Sequence, residues 1–417
     1  MRPRLLFVAN ARLPTEKAHG HAIVKMCEAY ANLGLDVELW YPRRKQPDGR
    51  REHATVFEYY GVPEGFRARS IKNLDVISAE SWFPKRLFRF VTGAHDLIWA
   101  WFVARQAKHQ RFVLHHTRDA AVALCLARAG LPTLLETHNP PAGMRMRLIR
   151  RLATHPNLRG VVALTEACRD SLLALGIPES KVVVLGSCVD LASFADLPAP
   201  SDCRDAVGLP KDRQVVAYVG RFQQVGMEKG IPTLVAAIGH LRKEYGLDPI
   251  LLCVGGPMDP VPEYIHVATA ADIPIDDLRF VDHVATSEVP TWIGAADIGV
   301  IPLPSSPDRF ARFTSPLKAF EFQAAGVPIV ASDLPSLREV LTHAENAWLV
   351  DADSATALAH GLQRLLADEN LRTSLSGHGK LAVTEHTWER RAETIWARFG
   401  TQLSSSSVST HGAYPPR

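Results

Sequence analysis

The sequence predicts an α/β protein made of two doubly wound parallel-sheet domains, and three observations carry that prediction. Short apolar, β-branched runs alternate with stretches of helical period along nearly the whole chain. Those runs are apolar at consecutive positions, as strands covered on both faces must be. A polar, Pro-containing stretch, "DLPAPSDCRDAVGLPKDRQ" (196–214), divides the alternation into two halves of one plan and reads as a hinge.

In the first half, "RLLFVA" (4–9) is a strand, too short for a secretory core and followed at once by a polar turn. "HAIVKMCEAYANL" (21–33) has apolar residues at 22, 23, 26, 29, 30 and 33, as a helix should, and "DVELWYP" (36–42) is the next strand. Further strands are predicted at "FVLHHT" (112–117), "PTLLETH" (132–138), "GVVALT" (160–165) and "KVVVLG" (181–186). The second half repeats the pattern with "VVAYVG" (215–220), "PILLCVGG" (249–256), "LRFVDHV" (278–284), "IGVIPLP" (298–304) and "VPIVASD" (327–333). Before the last of these, Ser315 suits an N-cap, Pro316 the first helical position and Gly326 the residue past the end, so a helix is expected over 316–325. Leu317, Phe320 and Ala324 share its apolar face, and so does Glu321, a carboxylate that needs a partner. "DAD" (351–353) reads as helix capping rather than as an acidic metal pair. The expected domains are 1–195 and 196–384, with a helix near 385–401 packing back on the first and a disordered, apolar-poor tail over 402–417.

The bulk properties set outer bounds. A chain of 417 residues with 47% hydrophobic and 22% charged residues can bury more than one core. Its six cysteines show no CxxC or CxxH spacing, so neither zinc nor a disulfide framework is signalled, and a reducing compartment is expected. No run of about 18 uncharged apolar residues is present to span a membrane. Residues 1–190 hold 28 Lys and Arg against 17 Asp and Glu, and the remainder 19 against 27, giving +11 and −8. A basic half can approach nucleic acid, anionic lipid or a phosphorylated substrate. "SWFPKRLFRFV" (81–91) interleaves aromatics with Lys85, Arg86 and Arg89, and "MRMRLIRRLA" (144–153) is basic and amphipathic. Both favour salt-sensitive binding to an anionic membrane; the plainer reading is core aromatics beside solvated arginines.

Two such sheets hold a ligand at the carboxyl ends of their strands, facing each other across a cleft. "VVAYVGRFQQVGMEKGIPTLVAAI" (215–238) fits: a strand ending at Gly220, then Arg221, then Gly226, Lys229 and Gly230 before a helix starting near Pro232. Glycines admit a ligand to the backbone, free N–H groups and two cations suit a diphosphate, and a solvated turn is the alternative. Ribose hydroxyls would partner Glu321; a structural ion pair with Lys318 or another cation is the alternative. His138 ends a strand facing the cleft, and Thr117, Arg118 and Asp119 end another on the acceptor side.

These residues resemble the retaining family-four glycosyltransferases (glycosyltransferase group 1), whose twin Rossmann-like architecture is called GT-B. The resemblance spans nearly the whole chain and is strongest at "VGRFQQVGMEKG" and "FEFQAAGVPIVASD"; "AADIGVIPLP" (295–304) and "LLETHNP" (134–140) fall in the expected order. It implies that Arg221 and Lys229 neutralise the departing diphosphate, that His138 contacts the donor sugar and that Glu321 holds the ribose. Gly20, in "LPTEKAHGHAIVK", falls where the family's first glycine loop meets the diphosphate. Gly220, Thr314, Ser315, Pro316, Leu317 and Lys318 would complete the donor site. Two positions depart from the family. Phe313 stands where the first of two glutamates belongs, leaving Thr314, Ser315 and helix N–H groups to meet the sugar, and "VVVLGSCVDLASF" (182–194) has an altered turn.

The resemblance implies sugar transfer from a nucleotide diphosphate sugar to a hydroxyl acceptor in bacterial polysaccharide or glycolipid synthesis, and the basic segments are consistent with a lipid-linked acceptor and a peripheral place for the protein at the inner face of the membrane. It implies no metal, no cofactor and no nucleic-acid partner, and a cytoplasmic location. A sugar-nucleotide epimerase on the same plan and a non-catalytic sugar-nucleotide-binding partner are the competing readings; Phe313 favours the second of these.

Overall fold

The computed structural model describes residues 2–15, 17–45, 55–73, 85–224 and 226–400, without the side chains at 85–87, 89 and 90. Trp82, Phe83 and the tail 402–417 lie outside the described residues, as do the side chains of Lys85, Arg86, Arg89 and Phe90. The chain forms two compact units: one from 1–163, 168–185 and Trp388 onward, the other from 164–167 and 186–387. The division thus falls after Leu185, ahead of the 195 expected.

The first unit carries a seven-stranded sheet of β1 (Arg4–Val8), β2 (Asp36–Pro42), β3 (Arg67–Ile71), β4 (Leu114–Thr117), β5 (Thr133–Thr137), β6 (Leu158–Ala163) and β7 (Val182–Val184). All pairings are parallel, in the order β3-β2-β1-β4-β5-β6-β7, so the strand order reverses at β1 and the carboxyl ends of β1 and β4 flank the switch point. β3, "RARSI", carries no apolar run to announce it. It is an edge strand with Arg67, Arg69 and Ser70 exposed, and charge there blocks further pairing. The helix Trp388–Phe399 belongs to this unit and packs on the helix Ala18–Asn32, with Phe399 over Gly160. A Cβ at Gly160 would stand 2.2 Å from that ring, so only glycine admits it.

The second unit carries β8 (Val215–Val219), a hairpin of β9 (Gln223–Gln224) and β10 (Met227–Glu228), then β11 (Ile250–Val254), β12 (Leu278–Val281), β13 (Ile298–Ile301), β14 (Ile329–Ser332) and β15 (Trp348–Val350). Its six-stranded parallel sheet runs β12-β11-β8-β13-β14-β15, with the switch point between β8 and β13. Val216 and Tyr218 of β8 enter the core on one face and Val215, Ala217 and Val219 the core on the other, which is why the run is apolar throughout. The expected fold class of two doubly wound parallel sheets is thus confirmed.

Three local expectations are corrected. The 196–214 stretch is no free hinge, because 200–207 is a helix with Cys203 buried and Gly208 as its left-handed cap. Buried Arg204 ties it to Ala295 O (3.0 Å) and Asp297 (2.6 Å). At 351–353 the cap is supplied one residue later: Ser354 Oγ accepts from Ala357 N, while Asp353 accepts from Ser305 N at 3.0 Å. The helix expected over 316–325 runs Leu317–Ala325 with Pro316 at the N-cap position, and Gly326 ends it at φ +73°. Its buried face is Ala319, Phe320, Phe322 and Gln323, so Leu317 is exposed and Glu321 half-buried rather than both lying in the apolar stripe.

Candidate functional site

In the second unit the switch point is built from β8 and the loops that follow β8 and β13. Beyond β8 the chain turns at Gly220 (φ +137°), where a Cβ would lie 3.1 Å from Lys318 Nζ. The Tyr218 hydroxyl donates to Arg221 O (2.7 Å) and fixes the turn, leaving the Arg221 side chain exposed. The hairpin then brings Lys229 back, its N–H donating to Phe222 O at 3.0 Å. Gly230 sits at φ +88° with the Pro302 carbonyl, just after β13, 1.7 Å from where a Cβ would be; no other residue fits before the helix Ile231–Tyr245 begins.

Two lysines meet here over aromatic rings rather than carboxylates. Lys229 Nζ lies 3.9 Å from the centre of the Phe310 ring, and Lys318 Nζ 3.7 Å from that of Tyr218. Burial, with the nearby charge of Arg309, lowers Lys229 to about 8. Burial and the charge of Lys229 hold Lys318 well below the usual lysine range. Glu321 is pushed up to about 7 by burial, partly offset by Lys318. Among the described residues Glu321 has no hydrogen bond and no ion pair within 4.0 Å, so the pairing with Lys318 is a field between neighbours and no contact. Two lysines with depressed pKa values beside a carboxylate, after the carboxyl end of a parallel-sheet strand, make this the candidate site.

Ser315 is engaged differently from the expectation. Its Oγ accepts from Ser187 N (2.8 Å) and its carbonyl from Ser187 Oγ (2.9 Å), so it fixes the altered turn after β7 instead of capping the helix. Thr314 Oγ1 donates to Arg309 O (2.9 Å). The backbone N–H groups opening the helix at Leu317 remain without a side-chain cap.

The first unit holds a different cluster around Glu136 of β5, which is fully buried. Arg118 lies 2.8 Å from its Oε1, Arg391 3.3 Å from the same atom and His116 Nε2 3.2 Å from Oε2; His138 Nε2 also bonds Oε1. Burial alone would raise the Glu136 carboxyl, but Arg118, Arg391 and the two histidines together hold it well below the usual range. A carboxylate only accepts, so His138 Nε2 carries the proton and Nδ1 is the acceptor. Burial and Arg118 lower His138 to about 4, so its ring is neutral.

Several first-unit residues thereby change role. Thr117 is fully buried and accepts from Asp119 N, so it lines no acceptor site. Asp119 caps the helix Ala120–Arg128 through Ala121 N (2.8 Å) and Val122 N (2.9 Å) and accepts from Asn10 (3.0 Å). Gly20 lies inside the helix Ala18–Asn32, and the space a Cβ would need is filled by the Tyr60 hydroxyl (2.1 Å) and Thr15 (2.5 Å). It is a packing glycine, not an open loop. Glu136 and Arg391 were not singled out from the sequence, though both left a signal: Glu136 interrupts an apolar strand, and Arg391 falls in the stripe of Trp388, Ala392, Ile395 and Phe399.

Residues 213–368 match the family model described as glycosyl transferases group 1, and residues 20–193 that of glycosyltransferase family 4. The chain belongs to the family-four, group 1 glycosyltransferases. The D-inositol 3-phosphate glycosyltransferase of Xylanimonas cellulosilytica is 31% identical over 241 residues, covering 56% of this chain and 55% of that one. This chain spans about half the length of several of the curated relatives it matches. The relative from Thermobispora bispora, of the same name, is 25% identical over 393 residues, 89% of this chain and 87% of that one. Among solved structures, a Rickettsia africae glycosyltransferase superposes with TM-score 0.71 at 17% identity, covering 97% of this chain and 100% of the other. HepE of Anabaena, solved with UDP, superposes with TM-score 0.70 at 16% identity, covering 95% and 99%. These likenesses are of fold, and they give this family-four chain the GT-B plan.

Proposed function

We propose that this family-four chain is a retaining, metal-independent glycosyltransferase that moves a sugar from a nucleoside diphosphate sugar to a hydroxyl acceptor. The observation that carries the proposal is the second-unit switch point, where Lys229 and Lys318 lie half-buried over aromatic rings beside Glu321, none of the three with an ion pair among the described residues. A diphosphate would offer these lysines negative charge, and ribose hydroxyls would donate to Glu321. When the bond to the sugar breaks, charge grows on the leaving diphosphate. Lys229, Lys318 and Arg221 oppose it as it forms, which contributes to rate more than to ground-state binding. No protein base is assigned; the departing phosphate takes the acceptor's proton on the same face, which retains the anomeric configuration.

HepE was solved with UDP-glucose as well as UDP, so uridine nucleotides are the first donors to try. The relatives' name supports a phosphorylated acceptor, and the first unit has chemistry for one; the bacterial glycolipid or polysaccharide route is our own reading. Near the ends of β4 and β5, Arg118 keeps buried Nε and Nη1 groups, and Arg145 a buried Nε, without hydrogen-bond partners among the described residues. The test is nucleotide release from a panel of nucleotide sugars, with and without phosphorylated polyols. Release that equals that of an Arg221→Ala, Lys229→Ala control, with tight donor binding retained, would favour a non-catalytic binding partner, the reading that Phe313 supports.

A further inference from the structure

Three helices cover one face of the first sheet: Lys85–Ala107, Ala120–Arg128 and Gly143–Ala153. They connect β3 to β4, β4 to β5 and β5 to β6, all stepping the same way along the sheet, so right-handed crossovers put them on one side, and neighbouring helices touch. The first is apolar on two faces. Trp99, Ala100, Val103, Ala104 and Ala107 are buried inward, while Leu97, Ile98, Trp101 and Phe102 form a ridge at positions i, i+1, i+4 and i+5 that faces solvent. Ile98 is 67% and Trp101 58% exposed; on the third helix Met144 is 59% exposed. Single exposed apolar residues are ordinary, but a contiguous ridge of large ones marks a surface that meets something.

The charge on this layer says what. Arg105, Arg128, Arg147, Arg150 and Arg151 are all exposed on the three helices. The one acid among them, Asp96, is half-buried and paired with His95 and Arg44. The Arg105 guanidinium stands 5.8 Å over the Trp101 ring, joining cation to apolar ridge. Aromatic and branched apolar side chains set among arginines without exposed acids suit an interface where hydrocarbon lies below and negative charge above. We propose that this helical face docks the protein on an anionic lipid bilayer, with Ile98 and Trp101 entering the headgroup boundary and the arginines holding lipid phosphates.

The proposal does not depend on sugar transfer, and its readout is physical. Full-length protein should sediment with phosphatidylglycerol vesicles at low salt, stay in solution with phosphatidylcholine vesicles and be released by high salt. An Ile98→Ser, Trp101→Ser variant should partition about tenfold less or weaker still, with an unchanged circular dichroism spectrum. An Arg147→Gln, Arg150→Gln variant should lose about tenfold at low salt only. Failure to sediment with phosphatidylglycerol, or equal binding by the serine variant, overturns the proposal. So does a dimer in analytical ultracentrifugation that the serine variant dissolves while vesicles capture neither form; the ridge would then join two copies of the chain.

Discussion

Lys229 and Lys318 rest over aromatic faces that attract a cation without neutralising it, and on the proposed function nucleotide binding should therefore be sensitive to pH. Lys229, lowered to about 8, loses its charge as pH rises through that value; Glu321, raised to about 7, is a carboxylate only above it. Affinity for a free nucleoside diphosphate should therefore peak between about 7 and 8 and fall on both sides. Calorimetry across that range tests the shape, and a flat profile would remove both groups from the site. Glu321→Gln should fold normally, bind nucleotide more weakly at pH 8 and lose the acid limb alone, because the amide does not titrate. Arg221→Ala or Lys229→Ala should cut turnover by on the order of a hundredfold or more while thermal stability barely moves. At Phe313 no side chain can accept from a sugar hydroxyl, so Phe313→Glu should reorder the preferred donors; an unchanged ranking would mean the ring does not meet the sugar.

Helix Trp388–Phe399 shows how one element serves a distant one. Its apolar stripe buries Trp388, Ile395 and Phe399 in the first unit, and Arg391, in the same stripe, reaches Glu136 and donates to Leu185 O. Arg391→Met should cost about 3–5 kcal/mol in urea unfolding, since it leaves a buried carboxylate short of a cation. Glu136→Gln added to it should recover part of that loss; an additive double mutant would mean the two side chains do not interact. The strands were legible because burial on both faces forces consecutive apolar residues, and β1, β2, β5 and β8 were all read to within a residue or two. β3 was not, because an edge strand is selected for charge; nor was the helix 200–207, whose polar exterior imitates a linker. Lys229 was legible as a cation between a strand and a helix, and Lys318 as a candidate partner of Glu321 and through the family resemblance, but their aromatic seats were not. Tyr218 belongs to β8 and Phe310 to the short helix Asp308–Phe313, so these rings reach the lysines only once separate elements have packed. Glu136 could be seen as a misfit, but its partners come from β4 and from a helix at the far end of the chain.

At the scale of the molecule, Arg221, Lys229, Phe310, Lys318 and Glu321 all fall in the unit that runs from 186 to 387. A fragment of those residues should fold alone and bind nucleoside diphosphate with affinity close to that of the full chain; an unfolded or non-binding fragment would show that the first unit completes the donor site. The reverse does not hold. A chain stopped after Thr387 lacks Arg391 and the helix around it, so the first unit should melt well below its temperature in the full chain, by differential scanning calorimetry. The position of Arg391 also dictates an order of birth. At roughly 5–20 residues per second on the ribosome, on the order of 10–50 seconds separate the synthesis of Glu136 from that of its last cation. By the end of that interval the later-encoded unit has been translated through residue 387, while the unit begun first still waits for Arg391 and the helix around it. The unit made first is therefore the one finished last, and the newborn chain is most exposed to proteases and chaperones in its amino-terminal half.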